Sequence, residues 1–523
     1  MRAKILRLGL LLGCLTWPGM APPDARAAEG TLAARLEAVT GRPEFRTAHW
    51  GLLVTDQATG AVLYERNADE LFAPASTTKL FSVAAALDAL GAEHRFETTV
   101  YRQGEITADG ELRGDLILLA GGDPTLGGRT DAAGKIAFHD VDHIYANGGA
   151  CHELTAPDPL AGLNELARQV AASGIRRVTG EVAVDDRLFE KSPSSGSGPA
   201  LVTPVMVNDN LVDFLVRPGS GPLATVDWRP QSAAVRVDAH VTLGAAGGKA
   251  RIEITSPGPG RFVVRGEFPA DGEPLVRVAE MEDSAAFARA LFIEALARAG
   301  VGVTASALGE NPAAVLRRAG EKYPVDRRVA RFTSPPFAEE AKLILKVSHN
   351  LHASELPLLL AVRHGQRTLA EGLHWEHEFL ARAGVDVAAI SFGGGAGGSA
   401  SDFTTPRATV QLLRYMGTRP DFAVYEAALP RLGVDGTLAK VVATNSPARD
   451  HVRAKTGTLV RENTLNGNLL LTSKALAGYL TTAQGRRLIV ALVVNNVHLA
   501  KDEEVAKVGA TLGRLCEIIH EAP

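Results

Sequence analysis

The apolar positions divide the chain into stretches of helical and of strand periodicity. Residues 31–39 place Leu32, Leu36 and Val39 at helical spacing, ahead of a break at Gly41-Arg42-Pro43. Two strand-like runs, 50–55 and 61–66, flank Gln57-Ala58-Thr59-Gly60 and predict a hairpin. A largely apolar run over 80–90, rich in Leu and Ala, predicts the next helix. From about 96 to 330 the texture changes. Short β-rich pieces (115–120, 178–184, 211–216, 234–241, 251–254, 261–265) alternate with Gly, Pro and Asp turns, and helices interrupt them at 160–172 and 284–299. The stretch 128–158 has no clear period, and 192–199 reads as a mobile loop. Helical spacing returns over 337–363, 369–383 and 405–416. Three adjacent strands then follow at 451–460, 476–482 and 487–494. A closing helix from Asp502 to about His520 carries Val505, Val508, Leu512, Leu515 and Ile519 on one face.

At 523 residues the chain exceeds one ordinary core, so two or more domains are expected. The pattern predicts an α/β (α+β) architecture. One domain is split between 28–95 and 331–523, around inserted mainly-β modules at 96–330. Charged residues make up 22% of the chain, the net charge is −4, and the two signs are interspersed, which excludes a nucleic-acid partner. Residues 1–27 read as a signal peptide. Arg2, Lys4 and Arg7 precede an apolar run over 8–15, and Ala25-Arg26-Ala27 is a cleavage pattern. An exported, periplasmic protein with no transmembrane segment in its mature form is therefore expected. Leu11-Leu12-Gly13-Cys14 is the lipoprotein alternative. Of the remaining cysteines, Cys151 and Cys516, the second lies in an apolar helical stripe, and a free thiol is expected rather than a disulfide.

Candidate chemistry begins at Pro74-Ala75-Ser76-Thr77-Thr78-Lys79. Ser76 and Lys79 are three apart at the start of a helix, which puts both side chains on one face. A serine hydroxyl becomes a good nucleophile when a neighbouring base takes its proton, and a buried lysine near a second cation can be that base. A Ser/Thr-capped helix with a solvated lysine would read the same in isolation. Downstream, however, stand Ser348-His349-Asn350 and then Lys455-Thr456-Gly457-Thr458. Ser348 could pass a proton to a leaving amine and Asn350 could bind a peptide carbonyl, if a helix end or loop turns both into one cleft. Thr456 and Thr458 offer hydroxyls to a carboxylate, Gly457 allows close backbone approach, and Lys455 adds positive charge that attracts the carboxylate and helps keep Lys79 neutral. An edge strand there could take a peptide as an added strand.

S-x-x-K, S-x-N and K-T-G, in that order, are the signature of serine penicillin-recognising enzymes. The resemblance extends further. Gly121-Gly122-Asp123-Pro124-Thr125-Leu126, Val184-Asp185-Asp186-Arg187-Leu188-Phe189, Asn208-Asp209-Asn210, Gly436-Thr437-Leu438, Ala477-Gly478-Tyr479 and Asn495-Asn496 follow in sequence. Together they resemble the D-alanyl-D-alanine carboxypeptidase/endopeptidases, the low-molecular-mass class C penicillin-binding proteins, over nearly all of the mature chain. That family implies a penicillin-binding transpeptidase/β-lactamase-like catalytic domain with inserted domains. It implies hydrolysis of D-Ala-D-Ala ends and peptide cross-links of peptidoglycan through an acyl-Ser76 intermediate, no cofactor, and β-lactam antibiotics as inhibitors. Asp185, with Phe189 four positions on, falls where the family has an acidic residue that would meet an ammonium-bearing substrate side chain. The alternative is a turn after the strand, with Phe189 buried.

The chain also departs from the family. Ser354 stands where the family has Glu, with Glu355 following. The loop 394–402 lacks the expected Asp, Arg and Asn, an insertion occupies 461–473, and 128–158 is unlike the family. Within that last stretch His139, Asp140, Asp142, His143, Cys151 and His152 include metal-ligand types at i and i+4. They read as polar loop residues, and no metal is expected. Two other readings use the same residues, a β-lactamase or esterase on this scaffold and a non-catalytic peptidoglycan-binding protein. The sequence leaves the oligomeric state open.

Overall fold

A computed structural model describes residues 30–148 and 151–522. The expected signal peptide, its cleavage site and Cys14 lie outside the described residues. Among those described, no helix is long and apolar enough to cross a membrane.

The two ends of the chain close one antiparallel sheet. Strands β1 (His49–Asp56) and β2 (Val62–Arg66) come from the N-terminal part. β3 (Val452–Asn463), β4 (Asn468–Thr481) and β5 (Arg487–Leu499) come from the C-terminal part, in the spatial order β3-β4-β5-β1-β2. β1 pairs with β5 along its whole length, with Trp50 opposite Val494 and Leu52 opposite Leu492. Both faces are covered, and that is why β5 reads as the unbroken apolar run Leu488-Ile489-Val490-Ala491-Leu492-Val493-Val494. Leu52, Val54, Val490 and Leu492 pack with α1 (Leu32–Thr40) and the C-terminal helix. Leu53, Ala477, Ile489 and Ala491 join the larger core around α2 (Lys79–Leu90). Every residue of α2 from Lys79 to Leu87 is buried, as expected of a helix apolar on all sides.

Between these halves lie a six-stranded sheet and two three-stranded sheets. The first contains Glu97–Ile106, Glu111–Leu119 and Val182–Asp185. The others are built on Leu211–Arg217 and on Arg261–Pro269. With α3 (Ala161–Ala172) and α4 (Ser284–Arg298), all three sheets contribute to a single apolar cluster.

The long helix expected over 337–363 is broken in two. α5 (Phe337–Lys346) ends before Ser348, which sits at φ 67, in the left-handed region that costs a non-glycine residue strain. α6 (Asn350–Arg363) then starts afresh with His349 as its cap, Nδ1 accepting from the His352 N–H at 3.4 Å. Periodicity cannot reveal this break, because apolar spacing continues across it. α7 (Leu369–Arg382), α8 (Pro406–Met416), the short α9 (Phe422–Ala428) and α10 (Glu503–His520) complete the fold. Cys151 and Cys516 are both buried free thiols.

Leu52 is fully buried where β1 joins the two halves of the sheet. Leu52→Ala should cost about 2–5 kcal/mol, read by equilibrium urea unfolding. A midpoint equal to that of the parent chain would show that this strand contact does not govern stability.

Candidate active site

Ser76 lies in one 3-10 turn, Ala75–Thr78, that leads directly into α2, and Lys79 is the first residue of that helix. Ser76 Oγ and Lys79 Nζ are 2.9 Å apart. Lys79 is 0% exposed, and its Nζ also lies 2.7 Å from Asn350 Oδ1 and 2.8 Å from the Ala396 carbonyl. An ammonium would donate to all three oxygens. A neutral amine donates to two and keeps a lone pair for the Ser76 proton. Burial pushes the Lys79 amine down to about 7, against an upward pull from Asp402. The base form is therefore well populated near neutral pH.

The break between α5 and α6 turns Ser348 and Asn350 inward. Lys455, from β3, donates to Ser348 Oγ at 2.9 Å and to the Thr456 carbonyl at 2.8 Å. It too is 0% exposed, and its amine is held well below the usual lysine value, first by burial and then by repulsion from Lys79 and Lys474. Burial is the main cause at Lys79, and repulsion between the two amines adds to burial at Lys455.

β3 is an edge strand, so Thr456–Thr458 has one side free of sheet partners. Thr456 Oγ1 donates to Thr437 Oγ1 at 2.7 Å. A Cβ on Gly457 would stand 2.5 Å from the Pro74 carbonyl, so only glycine lets β3 come this close to the Ser76 turn. The 394–402 loop closes the other side with its backbone. Besides the Ala396 carbonyl on Lys79, the Gly395 carbonyl accepts from Ser82 Oγ at 2.9 Å. Asp402 braces the loop by accepting the N–H groups of Gly393 at 2.7 Å and Ser399 at 2.8 Å. The loop thus reaches Lys79 and Ser82 through its backbone carbonyls.

Two contributors were not legible in the sequence. The stretch 192–199, expected to be mobile, folds as a hairpin with Leu201–Val202 and rests on the site, where a Cβ on Gly196 would meet Asn350 Nδ2 at 2.4 Å. Lys474, opposite Thr458 on β4, donates to Thr458 Oγ1 at 2.8 Å, and burial lowers its amine to about 8. The cross-strand register was the missing signal.

The structure thus gathers Ser76, Lys79, Ser348, Asn350, Lys455, Thr456, Gly457 and Thr458. Asp185 stands apart on the six-stranded sheet. Its carboxylate is bonded to Arg187 at 2.8 Å through both oxygens and accepts from the Tyr323 hydroxyl at 2.9 Å. Phe189 is buried in the core around α2. Asp142 and His143, read as polar loop positions, are buried in a charged network. Asp140 instead accepts the Gly436 N–H at 2.7 Å beside Thr437. Glu355 is buried near His352, Glu340, Asp123 and Asp209, and desolvation pushes its carboxyl well above the usual range.

A model of the D-Ala-D-Ala carboxypeptidase 3 (S13) family matches residues 32–513. The D-alanyl-D-alanine carboxypeptidase of Actinomadura sp. (strain R39) is 30% identical over 552 residues, covering 100% of this chain and 91% of that protein. The D-alanyl-D-alanine carboxypeptidase DacB of Haemophilus influenzae is 21% identical, covering 85% of each chain. A crystal structure of penicillin binding protein 4 (dacB) from the same organism aligns with a TM-score of 0.70 at 19% identity, over 93% of this chain and 99% of that one. A second crystal structure of that protein holds a β-lactam and aligns with a TM-score of 0.67 at 19% identity, over 92% of this chain and 99% of that one. The fold is therefore that of a penicillin-binding, β-lactamase-like domain carrying extra β-rich parts.

Because the base form of Lys79 appears as pH rises through about 7, acylation of Ser76 should be slow at pH 5 and half-maximal near pH 7. A rate flat from pH 5 to 9 would remove Lys79 as the base. Gly397, at φ 85, has room for no side chain, since a Cβ would stand 1.9 Å from the Ala75 carbonyl. Gly397→Ala should slow the same acylation by roughly tenfold or more, because small displacements of reacting groups are costly. An unchanged rate would show that the loop does not set the position of Ser76.

Proposed function

The chain belongs to the D-Ala-D-Ala carboxypeptidase 3 (S13) family of serine peptidases, which are hydrolases, and we propose that it acts in the periplasm on peptidoglycan stem peptides and cross-links through acyl-Ser76. The observation that carries this reading is the contact of Ser76 Oγ with the Nζ of a wholly buried Lys79 whose amine is brought down to about 7.

In the proposed cycle the substrate peptide lies along the open edge of β3, with its terminal carboxylate toward Lys455, Thr456 and Thr458. Neutral Lys79 takes the Ser76 proton as Oγ attacks the carbonyl carbon of the penultimate D-Ala. The N–H groups of Ser76 and Thr458 stabilise the oxyanion. As the intermediate collapses and the C–N bond breaks, Ser348 gives its proton to the departing amine and is reprotonated from Lys455. The Lys455–Ser348 contact of 2.9 Å supports that relay. Asn350 holds Lys79 and offers its amide to the substrate carbonyl. Lys79 passes the proton it took to Lys455, so that Lys79 is neutral and Lys455 charged again; water then hydrolyses the ester, Lys79 accepting the water proton and returning it to Ser76 Oγ as the acyl–oxygen bond breaks. The substrate carboxylate favours the charged form of Lys455, which in turn favours neutral Lys79. Asp185 is left out of this cycle, since Arg187 and Tyr323 already occupy its carboxylate.

A β-lactam places a reactive carbonyl and a carboxylate in the same relation. Incubation with penicillin followed by intact mass should show one added penicilloyl group, absent in Ser76→Ala. An adduct that persists in Ser76→Ala would sink the assignment of the nucleophile. Rapid loss of the adduct with turnover would favour the β-lactamase reading, and no adduct at all the non-catalytic one.

A further inference from the structure

Ser348 is held in a left-handed conformation from both of its ends. Its hydroxyl accepts from Lys455 at 2.9 Å, and its carbonyl accepts from the Tyr145 hydroxyl at 2.5 Å. Tyr145 belongs to the irregular 128–158 stretch, whose relation to the site no motif indicated. Burial raises its phenol far above the usual value, so the hydroxyl stays a donor at any working pH.

Tyr145 is itself anchored. It closes the short 3-10 turn His143–Tyr145, whose cap is Asp142, with Oδ1 accepting the Ile144 N–H at 3.2 Å. Asp142 is bound by both terminal nitrogens of Arg129, at 2.6 and 3.0 Å, and Arg129 also donates to Asp209 at 2.7 Å. His143 bridges Asp209 and Asp213 at 2.6 Å each, and His352 bridges Asp209 and Glu340 at 2.7 Å each. His349, the neighbour of Ser348, lies in the middle of this network. It is 0% exposed, stacked on His352 with ring centroids 3.7 Å apart, and 3.4 Å from Arg129.

Two sets of these groups, Asp209/His349/His352 and Asp142/His143/Asp209, are close enough together to hold a metal ion. The charges argue otherwise. Arg129, His352, His143 and Arg229 stand against Asp142, Asp209, Asp213 and Glu340, and the Arg129 guanidinium already lies between the Asp142 and Asp209 carboxylates. A network this well matched is rigid, because removing any partner leaves a buried charge alone.

We propose that Tyr145 is a positioning residue of the active site. Anchored by the Arg129–Asp142 network, its hydroxyl fixes the Ser348 turn so that Ser348 Oγ meets Lys455. The kinetic consequence rests on the role proposed above for Ser348; the geometric consequence does not.

Tyr145→Phe removes only the hydroxyl. Penicillin acylation at saturation should fall by roughly tenfold or more, while the dissociation constant of the initial non-covalent complex stays within about twofold. Because the effect passes through Ser348, most of it should vanish in a Ser348→Ala background. A crystal structure of Tyr145→Phe should show Ser348 Oγ displaced from Lys455 Nζ. An acylation rate within twofold of the parent, or an equal loss in the Ser348→Ala background, would overturn the proposal. So would an unmoved Ser348. If the parent chain is not acylated at all, the proposed function fails while the crystallographic distance still decides the role of Tyr145. Elemental analysis of the purified protein should find no stoichiometric metal. One equivalent retained through gel filtration would overturn the description of the network as matched charge.

Discussion

The structure depends on burying two lysines side by side. An exposed lysine is protonated and inert as a base, and lowering its pKa requires removing it from water while giving its hydrogens acceptors. Lys79 meets both conditions only because segments remote in sequence converge on it. Its own turn supplies Ser76, α6 supplies Asn350, and the 394–402 loop supplies the Ala396 carbonyl. None of these groups is a carboxylate within ion-pairing distance, which would hold the amine charged. The nearest influence of that sign, Asp402, is braced by backbone N–H groups of the loop.

Bringing so many segments to one point is achieved through backbone more than side chain. Gly457 passes against the Pro74 carbonyl and Gly397 against that of Ala75, which itself sits at φ 48. Ala75 and Ser348 are non-glycine residues in the left-handed region, the first preceding Ser76 and the second bonded to Lys455. Such conformations persist only where the surroundings over-determine them. The five-stranded sheet provides that frame. β1 and β5 lock the ends of the chain together, so the α2 turn and the edge strand β3 stand at a fixed separation.

Most of the candidate site was legible because its determinants are short-range. Ser76 and Lys79 are one helical turn apart, Ser348 and Asn350 flank one residue, and Lys455 to Thr458 lie in a single strand. The rest depends on tertiary pairing that periodicity does not carry. Lys474 joins Thr458 through strand register, Gly196 reaches Asn350 from a stretch that resembles a free loop, and the break at Ser348 lies inside continuous helical spacing. Asp142 and His143 misled for the same reason. Taken alone they are polar residues in an irregular stretch, and only the partners Arg129, Asp209 and Asp213, far apart in sequence, make their burial affordable.

The site therefore joins two electrostatic regimes that meet at Ser348 and His349. On the His349 side, cations and carboxylates are matched almost contact for contact, and His349 itself is pushed down to about 4, staying neutral among them. On the Ser348 side, two buried amines face each other with hydroxyls and carbonyls as partners. A matched network resists change, which suits an anchor. A pair of amines without carboxylate partners is kept toward the neutral form by burial, with repulsion adding to it at Lys455, which suits groups that exchange protons. One peptide unit separates the two, so the turn carrying Ser348 is where a charge-matched network meets a pair of buried amines.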